Sequence, residues 1–318
     1  MRALCFDGTR AALLDVPRPE VDDASALVRV SLAGVCNTDI ELLKGYMGFR
    51  GVLGHEFVGT VAEGPPSLLG ERVVGEINFA CGACADCSAG LGRHCPTRDV
   101  MGILRADGAF AEFVRVPIAN LHPVPASVPD ELAVFAEPLA AAFEILEQVR
   151  VEPGADCIVL GDGKLGLLAA QVLHAAGADV LAVGRHPAKL AVLRKRGIRT
   201  AVASDALLGP ASLVVEATGS ALGFARAVAA LRPRGTLVLK STHAEQPTVD
   251  LAPLVIHELH VIGSRCGPFP PALRALETGA VDVRSLVHAR LPLSRAEEAL
   301  RTAAEPGALK VLIEVDPA

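Results

Sequence analysis

Residues 157–166 read Cys157-Ile-Val-Leu160-Gly161-Asp162-Gly163-Lys164-Leu165-Gly166. The first four are apolar and suit a strand buried on both faces. The next six match Gly-x-Gly-x-x-Gly, and the Ala/Leu-rich run Leu165–Ala176 that follows suits a helix. With a strand before and a helix after, the three glycines have separate tasks. Gly161 permits the tight turn, Gly163 lets a pyrophosphate approach the backbone, and Gly166 lets helix and strand pack closely. The helix N-terminus then offers free N–H groups and a positive dipole end to phosphate. A dinucleotide site is expected here; the alternative is a glycine turn without a ligand.

The tip of the next strand, Val180–Val183, selects the dinucleotide. Sites for NAD place an acid there to hold the ribose 2′-hydroxyl. This chain has Gly184-Arg185-His186 instead. A glycine leaves room for a 2′-phosphate, and Arg185 can clamp it with paired, charged hydrogen bonds. NADP is the expected cofactor, with NAD as the alternative.

Apolar strand-like and helical runs continue to alternate around this loop, between about 139 and 266. They include Leu190–Lys195, Leu213–Glu216, Phe224–Leu231 and Thr236–Leu239. That alternation predicts a parallel sheet covered on both faces. Upstream, Ala26–Leu32, Phe57–Ala62, Arg72–Ile77 and Phe110–Val116 are Val-rich and bounded by turn residues, so residues 1–138 read as β-rich. The tail reads as a helix over Arg295–Ala304 and a strand over Lys310–Val315.

At 318 residues, two domains are expected. A chain that is 51% hydrophobic and 21% charged is not largely disordered. Its net charge of −6, without a basic tail, argues against nucleic acid or an anionic membrane as partner. Aromatics at 3% argue against a base-stacking platform. The start meets Asp7 before any apolar run of leader length, and no apolar run is long enough to span a bilayer. The expected location is the cytoplasm.

Four of the eight cysteines lie close together: Cys81, Cys84, Cys87 and Cys95, with two, two and seven residues between them. In a cytoplasmic chain such a cluster reads as metal binding before disulfides. Four thiolates fill the tetrahedral shell of zinc and leave no open position, so this site is expected to be structural. Cys5, Cys157 and Cys266 stand alone in apolar surroundings and read as small buried hydrophobes.

A second set of candidates comprises Cys36-Asn-Thr38-Asp39, Gly54-His55-Glu56-Phe-Val-Gly59 and Glu137-Pro138. Cys, His and Glu form a zinc-type set, and three protein ligands leave one position for water or substrate. Together with the four-cysteine lobe, the glycine loop and the late Glu216-Ala-Thr-Gly219, these motifs resemble the zinc-dependent medium-chain alcohol dehydrogenases. The branch is that of the sorbitol, threonine and glucose dehydrogenases. The resemblance implies an α/β chain with a GroES-like β-rich catalytic domain over 1–138 and 267–318. A Rossmann domain, with its doubly wound parallel sheet, would span 139–266, and the active site would lie in the cleft between the two.

Carried over residue by residue, the resemblance makes Cys36, His55 and Glu137 the catalytic zinc ligands. Glu56 becomes a neighbouring acid that hydrogen-bonds or transiently ligates the metal. Asp39 orients His55, and Thr38 passes on the substrate proton. Asp162, Lys164, Leu165, Gly184, His186 and Thr218 join the three loop glycines and Arg185 around the cofactor. Two zinc ions per chain, a small alcohol or carbonyl substrate, and a homodimer or homotetramer are implied.

Glu41 stands where many relatives have a histidine, so the outer proton relay is open. The spacing of eighteen residues between Cys36 and His55 is short, so the substrate does not carry over from the family. Tyr46, Phe49, Arg50 and Arg105 are candidates for the pocket wall, against packing or surface roles. Lys240 ends a strand on the expected cofactor side, where it touches phosphate or substrate, or is simply solvated. His257-Glu-Leu-His260 is one residue short of a metalloprotease helix motif and is not expected to bind metal. The rival from another class is a non-catalytic zinc protein that senses a nucleotide. A zinc-free quinone reductase is disfavoured by Cys36, His55 and the cysteine lobe.

Overall fold

In the computed structural model, the apolar run before the glycine loop is an inner strand of a six-stranded sheet. The strands lie in the order Arg199–Val202, Asp179–Gly184, Asp156–Leu160, Ala211–Glu216, Leu231–Leu239, His260–Gly263, and every pairing is parallel. The first strand in chain order is therefore central, and the order reverses beside it. This is the doubly wound arrangement, and its crevice opens at the carboxyl end of that central strand. Cys157, Ile158, Val159 and Leu160 are all buried, as a strand covered on both faces requires.

The structure describes residues 1–204, 208–242 and 248–315. It contains two compact units, Pro138–Leu286 and Met1–Glu137 with Val287–Ala318. Among the described residues, no helix is long and apolar enough to cross a membrane.

In the parallel-sheet unit, the helix Lys164–Ala175 buries Leu167, Leu168, Val172 and Leu173. Each aliphatic side chain so buried contributes about 1.5–3 kcal/mol. The helix read as Phe224–Leu231 in fact spans Ala221–Ala229. It starts early because Ser220 Oγ accepts the Gly223 N–H at 3.0 Å, and Leu231 already belongs to the next strand. The strand Arg199–Val202 carries no period-2 signal and was not expected.

The C-terminal boundary also differs from the expected 266/267. Residues 267–286 belong with the parallel sheet. The helix Phe269–Thr278 buries Phe269, Leu273 and Leu276 there. Gln171 fastens the segment by donating to Asp282 O at 3.1 Å and accepting the Asp282 N–H at 2.7 Å. Arg196 donates to Ala280 O at 2.7 Å.

The other unit is built on the eleven-residue strand Ser25–Val35. It pairs antiparallel with Glu56–Glu63, Phe113–Pro117 and Lys310–Glu314. The last of these pairs parallel with Val287–Pro292. The register Gly34↔Glu56 and Gly34↔Leu312 sets the end of the central strand beside residues far away in sequence.

Candidate active site and metal centres

The central strand ends at Val35, and Cys36 is the N-cap of the helix Asn37–Leu43. That helix starts because the fully buried Asp39, at its third position, accepts the Cys36 N–H at 2.8 Å. Across the sheet, His55 and Glu56 open the strand paired with Gly34. Asp39 Oδ1 lies 3.2 Å from His55 Nδ1, which leaves Nε2 for a ligand. Cys36, His55 and Glu56 then offer ligand atoms all within 4.8 Å of one another. Thr38 Oγ1 is 3.7 Å from Cys36 Sγ.

Glu56 is completely buried, and Lys310, from the last strand, forms an ion pair with its Oε2. Lys310 also donates to Val35 O at 3.3 Å and stands 5.8 Å from the Phe135 ring centroid. Gly34 makes this pair possible, since a Cβ there would lie 2.4 Å from Glu56 Oε2. Burial opposes the charge on Lys310, but Glu56 and then Cys36 outweigh it and raise the pKa. Burial likewise opposes the charged form of His55, yet Asp39 and Cys36 hold its pKa well above the ordinary value. Glu56 Oε1 is buried with no hydrogen-bond partner. An orphaned carboxylate oxygen beside a thiol and an imidazole fits a zinc-type cation.

Glu137, in the first turn of the helix Ala136–Gln148, is not part of this group. Its charge still acts on Lys310. Glu41 pairs with Lys44 at 2.9 Å. Phe49 is buried, Tyr46 is 42% exposed, and Arg50 is exposed. Arg105 donates to Asp99 at 2.7 Å and to Arg98 O at 2.7 Å, in the small strand pair that follows the cysteine lobe.

In that lobe the four sulfurs also lie within 4.8 Å of one another. Neighbouring separations are 3.4 Å for Cys84–Cys87 and 3.9 Å for Cys81–Cys87 and Cys84–Cys95. These exceed a disulfide bond. They match the roughly 3.8 Å between corners of a tetrahedron with metal–sulfur bonds of about 2.3 Å. Cys95 Sγ accepts the Cys81 N–H at 3.5 Å, and this bond together with Thr97 pulls its pKa down to about 6. Cys87 is pushed up to about 12 by burial and by Cys84. The residues fit a zinc ion.

At the glycine loop, Gly161 has φ +119°. A Cβ on Gly166 would lie 2.1 Å from Gly161 O, so helix and loop meet at a distance only glycine allows. A Cβ on Gly163 would meet nothing within 4 Å, and no side chain caps the helix it begins. The first helical N–H groups therefore remain available to an anion. Lys164 and Leu165 form the first turn and are half-buried. Thr218 is exposed and donates to the buried Glu216.

At the adjacent strand tip Arg185 is exposed. His186 donates its N–H to Asp162 Oδ2 at 2.6 Å, and its Nδ1 lies 3.0 Å from the same oxygen.

Lys240 is half-buried and bonded within its own unit. Its ammonium donates to Ala141 O at 2.7 Å, Arg265 O at 2.9 Å and Ser264 Oγ at 3.0 Å, joining three segments of the parallel-sheet unit. His257 and His260 are exposed and join no ligand group among the described residues. Lys310 is the site residue that sequence reasoning missed. Its only signal was a lysine opening an otherwise apolar strand.

A doubly wound dinucleotide fold and a mixed Cys–His–carboxylate pocket in one chain define a metal-assisted, nicotinamide-dependent oxidoreductase. Residues 22–126 match the alcohol dehydrogenase GroES-like domain, and residues 165–278 match the zinc-binding dehydrogenase family. The D-altritol 5-dehydrogenase of Agrobacterium fabrum is 33% identical over 315 residues, covering 92% of this chain and 93% of its own. A zinc-binding dehydrogenase from Sinorhizobium meliloti 1021 bound to NADP has a TM-score of 0.91 at 28% identity, over 98% of each chain. An alcohol dehydrogenase from Escherichia coli CFT073 complexed with NADH has a TM-score of 0.92 at 25% identity, over 99% of each chain. The chain belongs to the zinc-dependent medium-chain alcohol dehydrogenase family. It is an oxidoreductase acting on an alcohol or polyol.

Proposed function

We propose that the protein interconverts a secondary alcohol of a polyol or sugar and its carbonyl, with one catalytic and one structural zinc per chain. The observation that carries this reading is the Cys36–His55–Glu56 group, with its histidine and glutamate buried, its cysteine half-buried and one carboxylate oxygen unpartnered. The unit of Met1–Glu137 with Val287–Ala318 is the catalytic part, and Pro138–Leu286 holds the dinucleotide.

Cys36 and His55 hold the catalytic metal, with a carboxylate from Glu56 or Glu137 as the third ligand. When bound, zinc supplies a Lewis acid that lets an alkoxide exist near neutral pH, while the dinucleotide carries the hydride. Asp39, with Oδ1 3.2 Å from His55 Nδ1, would orient the ring so that Nε2 faces the metal. Lys310 neutralises Glu56, which limits the charge the carboxylate brings to the metal. The Thr38 hydroxyl, 3.7 Å from Cys36 Sγ, accepts the alcohol proton and passes it outward. The lobe of Cys81, Cys84, Cys87 and Cys95 is a closed shell and takes no part in the chemistry.

The expectation of NADP rested on Gly184 and Arg185. The exposed guanidinium of Arg185 favours a 2′-phosphate, whereas the buried Asp162 carboxylate disfavours it.

Assembly as a homodimer or homotetramer is supported by the edge strand His260–Gly263, which has one sheet neighbour among the described residues. Beside it Val255 is 77% exposed and Ile256 72%. Eight free thiols, four of them clustered as ligands, suit the reducing cytoplasm.

Zinc content per chain and a panel of polyols, aldoses, hydroxy amino acids and secondary alcohols, run with both dinucleotides, test the reading. About two zinc ions and turnover of one substrate class are expected. Two zinc ions without turnover of any alcohol or ketone would leave a nucleotide-binding sensor instead.

A further inference from the structure

The acid that NAD sites carry at the tip of the second strand is absent at Gly184, but its space is filled. A Cβ on Gly184 would lie 2.4 Å from Asp162 Cβ and 2.6 Å from Asp162 Cγ and Oδ2. The Asp162 side chain has therefore entered, from the glycine loop, the volume that a side chain on the strand tip would occupy. It is held there firmly. Asp162 is 7% exposed, and Oδ2 accepts the His186 N–H at 2.6 Å. His186 Nδ1 sits 3.2 Å from Oδ1.

A carboxylate has room for about four hydrogen-bond donors across its two oxygens, and these contacts leave acceptor positions free. In a doubly wound fold the ribose next to the adenine lies at this tip, with the pyrophosphate on the glycine loop. Gly163, with open space around it, leaves the loop clear for that pyrophosphate. A ribose carrying free hydroxyls would donate to Asp162. A 2′-phosphate would bring two negative charges against a buried, poorly screened one. Arg185 does not cancel this, because an exposed cation is screened by solvent and its pairings contribute little.

Taking the nicotinamide-dependent dehydrogenase reading as given, we infer that Asp162 is the ribose-reading acid of this chain. Displaced from the strand tip into the glycine loop, it makes the site select NAD over NADP. Gly184 is then required as the gap that admits the Asp162 side chain, not as a seat for phosphate.

Calorimetric binding of NADH and NADPH to the metal-replete protein tests this without any substrate. The native chain should bind NADH at least about tenfold tighter than NADPH. Asp162→Asn keeps an oxygen for the His186 N–H but loses the charge, and should tighten NADPH binding about tenfold. Asp162→Ala should also weaken NADH, since the hydroxyl acceptor is gone. Thermal melting of each variant separates loss of fold from loss of selectivity, and the native ratio needs no variant. Native preference for NADPH overturns the inference. So does an NADH-to-NADPH ratio within twofold of native in both variants. If neither dinucleotide binds the native chain, the dehydrogenase reading falls as well.

Discussion

Lys310 Nζ and the Glu56 carboxylate, 254 residues apart in sequence, form an ion pair from which solvent is excluded, the two residues being 1% and 0% exposed. A buried pair adds little when compared with an apolar replacement of both members. Losing one member is costly, because the other charge stays behind unpaired. Lys310→Met should therefore lower stability in urea by about 3–5 kcal/mol, whereas Lys310→Met combined with Glu56→Gln should recover much of that loss. A double variant no more stable than the single one would deny the pair its role.

Asp39 touches two candidate ligand residues, taking the Cys36 N–H and facing His55 Nδ1. Asp39→Asn retains the shape and removes the charge that orients the imidazole. Affinity of the catalytic site for zinc, read by chelator competition, should fall about 10–100-fold while the four-cysteine site keeps its metal. Unchanged affinity would mean that Asp39 serves only the helix start.

Glu76 lies 3.1 Å from His122 Nε2 and 3.3 Å from Arg93 Nε, between the sheet and the cysteine lobe. Burial raises its pKa, but the contacts with His122 and Arg93 outweigh that and hold it below its ordinary 4.5. The folded state thus binds the proton more weakly than the unfolded chain. The associated stability is fully present above pH 4.5 and fades as pH falls through the lowered folded value. Glu76→Gln should cost about 1–2 kcal/mol at neutral pH and flatten the acid limb of a plot of stability against pH. A variant whose acid limb keeps the native slope would contradict this.

Gly166 packs against the carbonyl of Gly161, where a Cβ would approach to 2.1 Å. The obstacle is backbone and cannot rotate away. Gly166→Ala should cost about 1–3 kcal/mol and widen the loop, weakening both dinucleotides together. A change in selectivity without a change in overall affinity would be the wrong outcome.

Much of the protein was readable in the linear order of its residues wherever the chemistry depends on neighbours along the chain. The glycines at 161, 163 and 166 imply a phosphate loop because a turn and a helix start are local events. The cysteines at 81, 84, 87 and 95 imply a closed metal shell because a short chain can fold their sulfurs together. Cys36 and His55 stood out as candidate ligands through their motifs, although nothing local says that they meet.

Tertiary structure decided the rest, because strand register and packing bring together groups that share no motif. Lys310 reads as an ordinary strand residue until register sets it against Glu56. Lys240 reads as an exposed strand end until two distant carbonyls and Ser264 surround its ammonium. Gly184 reads as a bare strand tip until the fold sets the Asp162 side chain where a Cβ there would stand. Residues 267–286 lie with the parallel sheet because Gln171 and Arg196 bind their backbone. A residue's type says what it can bind; in each of these cases only the folded chain decides what stands opposite it.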